Sequence, residues 1–137
     1  MPIFHFFGSR MGNVPVRRGD RSKAISKMMN DVKSGKISAG QLVIYPQGTR
    51  VAPGATKPYK IGTGLLYEQT GMECVPVATN VGLFWPKRSV YRKPGLAVIE
   101  YLPPIKAGKT RAAFMAELEQ MIEENSNRLM AEAGFEG

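Results

Sequence analysis

Histidine, cysteine and tryptophan each occur once in this chain of 137 residues. The cysteine, Cys74, lies in an apolar run and has no partner for an internal disulfide, which predicts a reduced core residue and a cytoplasmic compartment. No metal site is predicted, because no histidine or cysteine has zinc-ligand spacing. No apolar run approaches the ~18 residues of a membrane span. The first residues are interrupted by His5 and predict no secretory signal.

The chain also has little that could act as a general base. His5 lies among phenylalanines with no acidic residue nearby in sequence, which favours a partly buried structural role. No Gly-x-Ser-x-Gly elbow, Walker loop or dinucleotide fingerprint is present. Clustered carboxylates occur near the C-terminus, where a solvated helix face explains them: Glu117, Glu119, Glu123 and Glu124. No catalytic residue is therefore predicted.

Positive charge is abundant, with a formal net charge of +8. This favours an anionic partner, namely a phosphorylated metabolite, an anionic membrane surface or a nucleic acid. Nucleic acid is disfavoured, because no RNP, KH or helix-turn-helix signature is present. The segment Phe84-Trp85-Pro86 and the cations after it could dock at the inner face of the cell membrane. A packed loop with a basic rim is the alternative.

Apolar runs bounded by glycine and proline predict buried strands. We expect strands at Leu42–Tyr45, Cys74–Thr79 and Leu96–Leu102, and helices at Ser22–Lys33, Gly64–Gln69 and Thr110–Ala133. Gly71 should end the second helix, and the apolar face of the third should comprise Phe114, Leu118, Met121 and Ile122. Alternation of strands and helices predicts one α/β domain over residues 1–137, with an open, mostly parallel sheet and flanking helices.

The segment Gln47-Gly48-Thr49-Arg50 directly follows the first predicted strand. Ligands in open α/β sheets bind outside the carboxyl ends of the strands. Glycine lets backbone N–H groups approach an oxyanion, threonine adds a hydroxyl, and arginine binds phosphate oxygens with two hydrogen bonds. The segment thus indicates a phosphate site. The alternative is a turn at the end of the strand, in which Arg50 pairs with a carboxylate.

Three ordered segments together resemble the lysophosphatidic acid (1-acylglycerol-3-phosphate) acyltransferases of the glycerolipid acyltransferase superfamily. They are Val14-Pro15-Val16-Arg17-Arg18, Tyr45-Pro46-Gln47-Gly48-Thr49-Arg50 and Val75-Pro76-Val77-Ala78-Thr79-Asn80. The resemblance implies a glycerolphosphate acyltransferase-like fold. It also implies acyl transfer from acyl-CoA or acyl carrier protein to lysophosphatidic acid, with the acyl donor as co-substrate and no other cofactor.

The resemblance also implies roles for individual residues. The acceptor's phosphate would be held by Arg18, Gln47, Gly48, Thr49 and Arg50, with Lys60 as a secondary contact. Gln47 stands where the family usually has glutamate, so it keeps hydrogen bonding and loses the charge. The strand residues Val75, Pro76, Val77 and Ala78 would pack or contact the acyl chain.

The family's histidine, followed after four residues by aspartate, has no counterpart here, because the residue five positions after His5 is Arg10. That pair is the family's general base and its orienting carboxylate. We therefore expect an N-terminally truncated acyltransferase domain, incomplete at its N-terminal side, that recognises phosphate but is inactive alone. An exposed sheet edge would favour a homodimer. The alternative is a non-catalytic module that binds anionic lipid or phosphate.

Overall fold

The computed structural model describes residues 42–86 and 89–136, together with Ser26, Asn30 and Ser34. The chain divides into two compact units, Met1–Val43 and Ile44–Gly137. In the first unit Ser26 and Asn30 are helical, and the N–H of Ser34 donates to the Asn30 carbonyl at 2.9 Å. The rest of the helix predicted over 22–33 lies outside the described residues. A single domain over residues 1–137 stays a prediction.

The described residues of the second unit form five elements in the order helix, strand, helix, strand, helix. They are α1 (Ile61–Thr70), β1 (Val77–Thr79), α2 (Val81–Phe84), β2 (Ile99–Tyr101) and α3 (Arg111–Glu132). The predicted helices Gly64–Gln69 and Thr110–Ala133 are confirmed as α1 and α3, whereas the four-residue α2 was not predicted. Gly71 ends α1 with a φ of 63°, a left-handed conformation that glycine adopts easily. The Thr110 hydroxyl accepts a hydrogen bond from the Ala113 N–H at 3.3 Å and caps α3.

The two described strands pair antiparallel. Val77 lies opposite Tyr101 and Thr79 opposite Ile99, and a bridge between Cys74 and Ile105 extends the ladder. The α/β content is confirmed, but the open, mostly parallel sheet is not confirmed by the described residues. A parallel pair needs a long crossover connection, usually a helix. Here the connection between β1 and β2, residues 80–98, contains only the four-residue α2. After it, β2 runs beside β1 in the opposite direction.

Residues 42–45 do not form the predicted buried strand. No strand is assigned there, and Val43 and Tyr45 are 73% and 80% exposed. An apolar run becomes a strand only where another strand completes its hydrogen bonds, and no described strand pairs with this one. The run leads instead into a turn, in which the Tyr45 carbonyl accepts a hydrogen bond from Gly48.

The core lies between α3, α1 and the sheet. Phe114 of α3 is completely buried, and its ring stacks on Tyr67 of α1 with centroids 3.8 Å apart. Leu118 is buried in the same cluster, while Met121 and Ile122 pack against it, which confirms the predicted apolar face of α3. No helix among the described residues is long and apolar enough to cross a membrane.

Candidate anion-binding site

A tight turn at Tyr45–Gly48 opens the predicted phosphate segment. The N–H of Gly48 donates to the Tyr45 carbonyl at 2.9 Å, with Pro46 at the second position of the turn. Gly48 has a φ of 68°, a conformation that costs glycine little. A Cβ added to Gly48 would lie 3.6 Å from Cγ of Lys60. The stem of the Lys60 side chain therefore runs beside this turn.

Lys60 reaches the turn because the intervening loop closes on itself. Its N–H donates to the Pro46 carbonyl at 2.8 Å, so the two ends of the loop over residues 47–59 lie next to each other. Lys60 is also the N-cap residue of α1, and the first turn of that helix has no acidic side chain. The N-terminus of a helix carries partial positive charge. The fold thus brings Gly48, Lys60 and a helix N-terminus together.

The Gln47 side chain is held by the last helix. Its Nε2 donates to Glu123 Oε1 at 3.2 Å, and the Tyr59 hydroxyl donates to the same oxygen at 2.8 Å. Burial, followed by the Glu123 contact, raises the pKa of Tyr59 above its ordinary value. Gln47 and Tyr59 thus fasten the two ends of the 47–59 loop to one carboxylate.

Glu123 itself is half-buried, although sequence analysis placed it on a solvated face. The signal that could have found it is its position directly after Ile122, at the border of the apolar face of α3. A residue at such a border can turn either to the core or to water, and periodicity does not decide between them.

Arg50 is exposed and lies close to an aromatic ring. Its guanidinium carbon is 5.6 Å from the centroid of the Trp85 ring, and that of Arg92 is 4.3 Å from the same centroid. Within the described residues Arg50 forms no ion pair, so the alternative with a carboxylate partner is not observed. The Thr49 hydroxyl makes no hydrogen bond to the described chain. Arg18 lies outside the described residues.

The segment Val75–Ala78 presents two different faces. Pro76 and Ala78 are buried, while Val75 and Val77 are 46% and 36% exposed. Packing therefore accounts for one face, and acyl-chain contact at the other stays a prediction. A cleft of about 410 Å³ lies between residues 94–98 and the end of α3. None of the residues 75–78 lines this cleft.

Asn80 is a structural residue that sequence analysis did not single out. It is 2% exposed, and its Nδ2 donates to the carbonyls of Leu96 and Leu129 at 3.3 and 3.4 Å. Its Oδ1 accepts from the N–H of Val98 at 2.7 Å. Asn80 therefore joins the end of β1 to α3 and to the segment 96–98 that leads into β2. Its signal in the sequence is a polar residue that ends an apolar run.

Comparison with known proteins gives consistent matches over most of the chain. A family model described as acyltransferase matches residues 1–80. The 1-acyl-sn-glycerol-3-phosphate acyltransferase of Pseudomonas aeruginosa is 24% identical over 96% of this chain and 51% of its own length. Proteins of that name from Cocos nucifera and Limnanthes alba are 32% and 30% identical, over 66% and 68% of this chain and 30% and 34% of their own.

The chain thus spans about half the length of the bacterial relative and about a third of the plant relatives. No solved structure matches it.

Proposed function

Since the chain belongs to the acyltransferase family, we propose that it takes part in acyl transfer from acyl-CoA or acyl carrier protein to lysophosphatidic acid. We infer the identity of the acceptor from the relatives of the chain, which are named 1-acyl-sn-glycerol-3-phosphate acyltransferases. Their name describes an acceptor with a phosphomonoester, and the net charge of +8 suits such a dianion. The resemblance seen in the sequence agrees with these relatives.

The observation that carries the proposal is the approach of Lys60 to Gly48. Eleven residues, 49–59, separate them in sequence, yet the Pro46–Lys60 hydrogen bond closes that loop at 2.8 Å. An ammonium group, a turn with glycine at its end and a helix N-terminus are the groups that bind a phosphate. Arg50 would add a guanidinium two residues after the glycine. We assign the acceptor's phosphate to this place.

The residues of this chain would hold the acceptor and not deprotonate it. None of its 137 residues forms a histidine and aspartate pair at the family's spacing. General base catalysis contributes roughly 10²–10⁴-fold to such a reaction. The chain by itself should therefore bind lysophosphatidic acid and transfer little or no acyl group.

The experiment measures acyl transfer from oleoyl-CoA to lysophosphatidic acid, beside calorimetric binding of the same acceptor. Lys60→Gln should weaken binding roughly tenfold, because it removes one charged hydrogen-bond donor to phosphate. Lys106→Gln is the matched control, since Lys106 is exposed and its side chain has no described contact. A form extended upstream through the reading frame should show transfer that the present chain lacks.

Two results would contradict this assignment. Equal binding by the wild type, Lys60→Gln and Lys106→Gln would show that the phosphate does not bind at the Gly48 turn. Acyl transfer by the chain alone would show that a base lies within it, and His5→Gln would then test the one histidine.

A second candidate is a non-catalytic module that binds anionic lipid. The observation in its favour is the exposed Trp85 with Arg92 beside it, since tryptophan and arginine suit the headgroup level of a membrane. This candidate predicts binding to anionic vesicles without acyl transfer in the extended form. On either reading, we propose that the protein works at the inner face of the cell membrane.

A further inference from the structure

Two arginines from separate parts of the second unit meet at one indole ring. The guanidinium carbons of Arg50 and Arg92 lie 5.6 and 4.3 Å from the centroid of Trp85. Both distances are within the range in which the face of an aromatic ring attracts a cation. Arg50 belongs to the predicted phosphate segment, whereas Arg92 comes from the basic loop that sequence analysis assigned to a membrane or to a packed rim.

The fold places Arg92 beside Trp85 by closing that loop. The N–H of Lys93 donates to the Phe84 carbonyl at 2.9 Å. Trp85 follows Phe84 and Arg92 precedes Lys93 in the chain, so this hydrogen bond brings Trp85 and Arg92 close together. The Ser89 hydroxyl holds the interior of the loop, because it accepts from the Tyr91 N–H at 3.1 Å and donates to the Tyr91 carbonyl at 3.0 Å. These hydrogen bonds fix the backbone on both sides of Arg92.

Neither guanidinium has an acidic partner in the part of the chain that the structure describes. The described ion pairs use other cations, namely Lys109, Arg111 and Arg128. Two like charges at one ring repel each other, and the ring's attraction offsets this repulsion only in part. A dianion that accepts from both guanidiniums would remove the repulsion and gain charge-assisted hydrogen bonds from both.

We propose that Arg92 and Arg50 together bind one phosphomonoester dianion, with Trp85 as the positioning residue for both. The inference rests on the proposed function in one respect, namely that Arg50 belongs to the acceptor-phosphate segment. A phosphomonoester occurs in two substrates of the proposed reaction, at the glycerol of the acceptor and at the 3′-position of coenzyme A. The shared chemistry is the dianion, and the experiment separates the two sources.

Trp85 is the one tryptophan of the chain and is 43% exposed, so its fluorescence reports on this place directly. The full chain is titrated at constant ionic strength with glycerol 3-phosphate, with coenzyme A and with dephospho-coenzyme A. Saturable change with glycerol 3-phosphate assigns the dianion to the acceptor. Saturable change with coenzyme A and none with dephospho-coenzyme A assigns it to the donor.

Arg92→Gln should raise the dissociation constant of the active probe roughly tenfold or more, because one charged hydrogen-bond donor is lost. Arg92→Lys should recover part of the affinity, since lysine restores the charge without the two-pronged geometry. Lys106→Gln, at an exposed position, should bind as the wild type does. Circular dichroism confirms that each variant is folded.

The positioning role of Trp85 is tested by calorimetry, which does not need its fluorescence. Trp85→Phe keeps an aromatic face and should bind close to the wild type. Trp85→Leu is close to the phenylalanine variant in size but has no aromatic face, so it should bind several-fold more weakly. Equal affinity of these two variants would overturn the positioning role.

The outcomes separate this inference from the proposed function. Weaker binding in Arg50→Gln and Lys60→Gln, with Arg92→Gln unchanged, would overturn the shared dianion and leave the proposed function standing. Weaker binding in Arg92→Gln alone would support an anion site at Trp85 that does not include Arg50, which also overturns the pair. No saturable response to any probe would overturn both.

Discussion

At the scale of single residues, one carboxylate organises the loop that carries the candidate site. Glu123 accepts hydrogen bonds from Gln47 at 3.2 Å and from Tyr59 at 2.8 Å, and both donors are neutral groups. The resemblance described above implies that the family usually has glutamate in the place of Gln47, and a glutamate here would face Glu123. The contact gives a physical reason for glutamine in this chain, because its amide supplies the donor that a half-buried carboxylate needs.

Gln47→Glu should therefore destabilise the fold by about 1–3 kcal/mol at neutral pH, since it replaces a donor by a second negative charge. The introduced carboxyl has a raised pKa in the folded state, because Glu123 disfavours its ionised form. A raised folded-state pKa means that stability is lost as pH rises through that pKa. The deficit should thus be full at pH 7 and shrink on acidification towards the ordinary glutamate pKa of about 4.3.

Urea unfolding at pH 5 and pH 7.5 measures this effect. Gln69→Glu is the matched control, because Gln69 is exposed on α1 and has no described partner. A deficit that is the same for both variants, or that is independent of pH, would show that the Gln47 contact with Glu123 does not matter in solution.

At the scale of elements, α3 contributes both to the core and to the candidate site. It is the longest described helix, it carries Phe114, Leu118 and Leu129 into the core, and it supplies Glu123 to the candidate site. A long amphipathic helix gains most of its stability from packing of its apolar face. The stability of the second unit should therefore depend on the contacts of α3.

Phe114→Ala should lower the free energy of unfolding by about 3–5 kcal/mol, because it leaves a cavity against Tyr67 in a fully buried site. Chemical denaturation measures the change. Tyr101→Ala truncates an aromatic side chain that is 75% exposed, and it should change stability by less than about 0.5 kcal/mol. If the two substitutions cost the same, α3 does not pack on α1 as described.

Of the described helices, the two long ones were predictable from the sequence to within a few residues and the four-residue α2 was not, while the bounds of the strands were not predictable. The predicted helix Gly64–Gln69 lies within α1, and Thr110–Ala133 matches α3 with its cap. The predicted strand Leu96–Leu102 shrinks to Ile99–Tyr101, and Leu42–Tyr45 is no strand. Helical hydrogen bonds join residues four apart, so a helix depends on residues that are close together in the sequence. A strand depends on which other segment of the chain lies next to it.

At the scale of the whole molecule, the described sheet has two strands, and each of them is an edge. Large apolar side chains line one face of it, with Ile99 and Tyr101 60% and 75% exposed. Unpaired edges of this kind can pair with another chain. A homodimer through such an edge stays a prediction of the sequence analysis, and the exposed edge residues give the means to test it.

Sedimentation velocity should show a dimer at micromolar concentration. Ile99→Lys should give a monomer, because a lysine on an edge strand opposes pairing between edges. Val90→Lys is the control, since Val90 is 89% exposed and lies outside the described strands. A monomeric wild type would contradict the dimer, and dimers in both variants would place the interface away from this edge.

The sequence by itself determined α1, α3, the turn at Gly48 and the family resemblance, because each depends on residues that are close together in the chain. Tertiary structure decided the antiparallel pairing, the binding of Gln47 by Glu123 and the meeting of Arg50 with Arg92 at Trp85. These contacts join residues far apart in sequence, and no local preference specifies them. They follow from loop closure and from the burial of apolar side chains, which are properties of the folded chain as a whole.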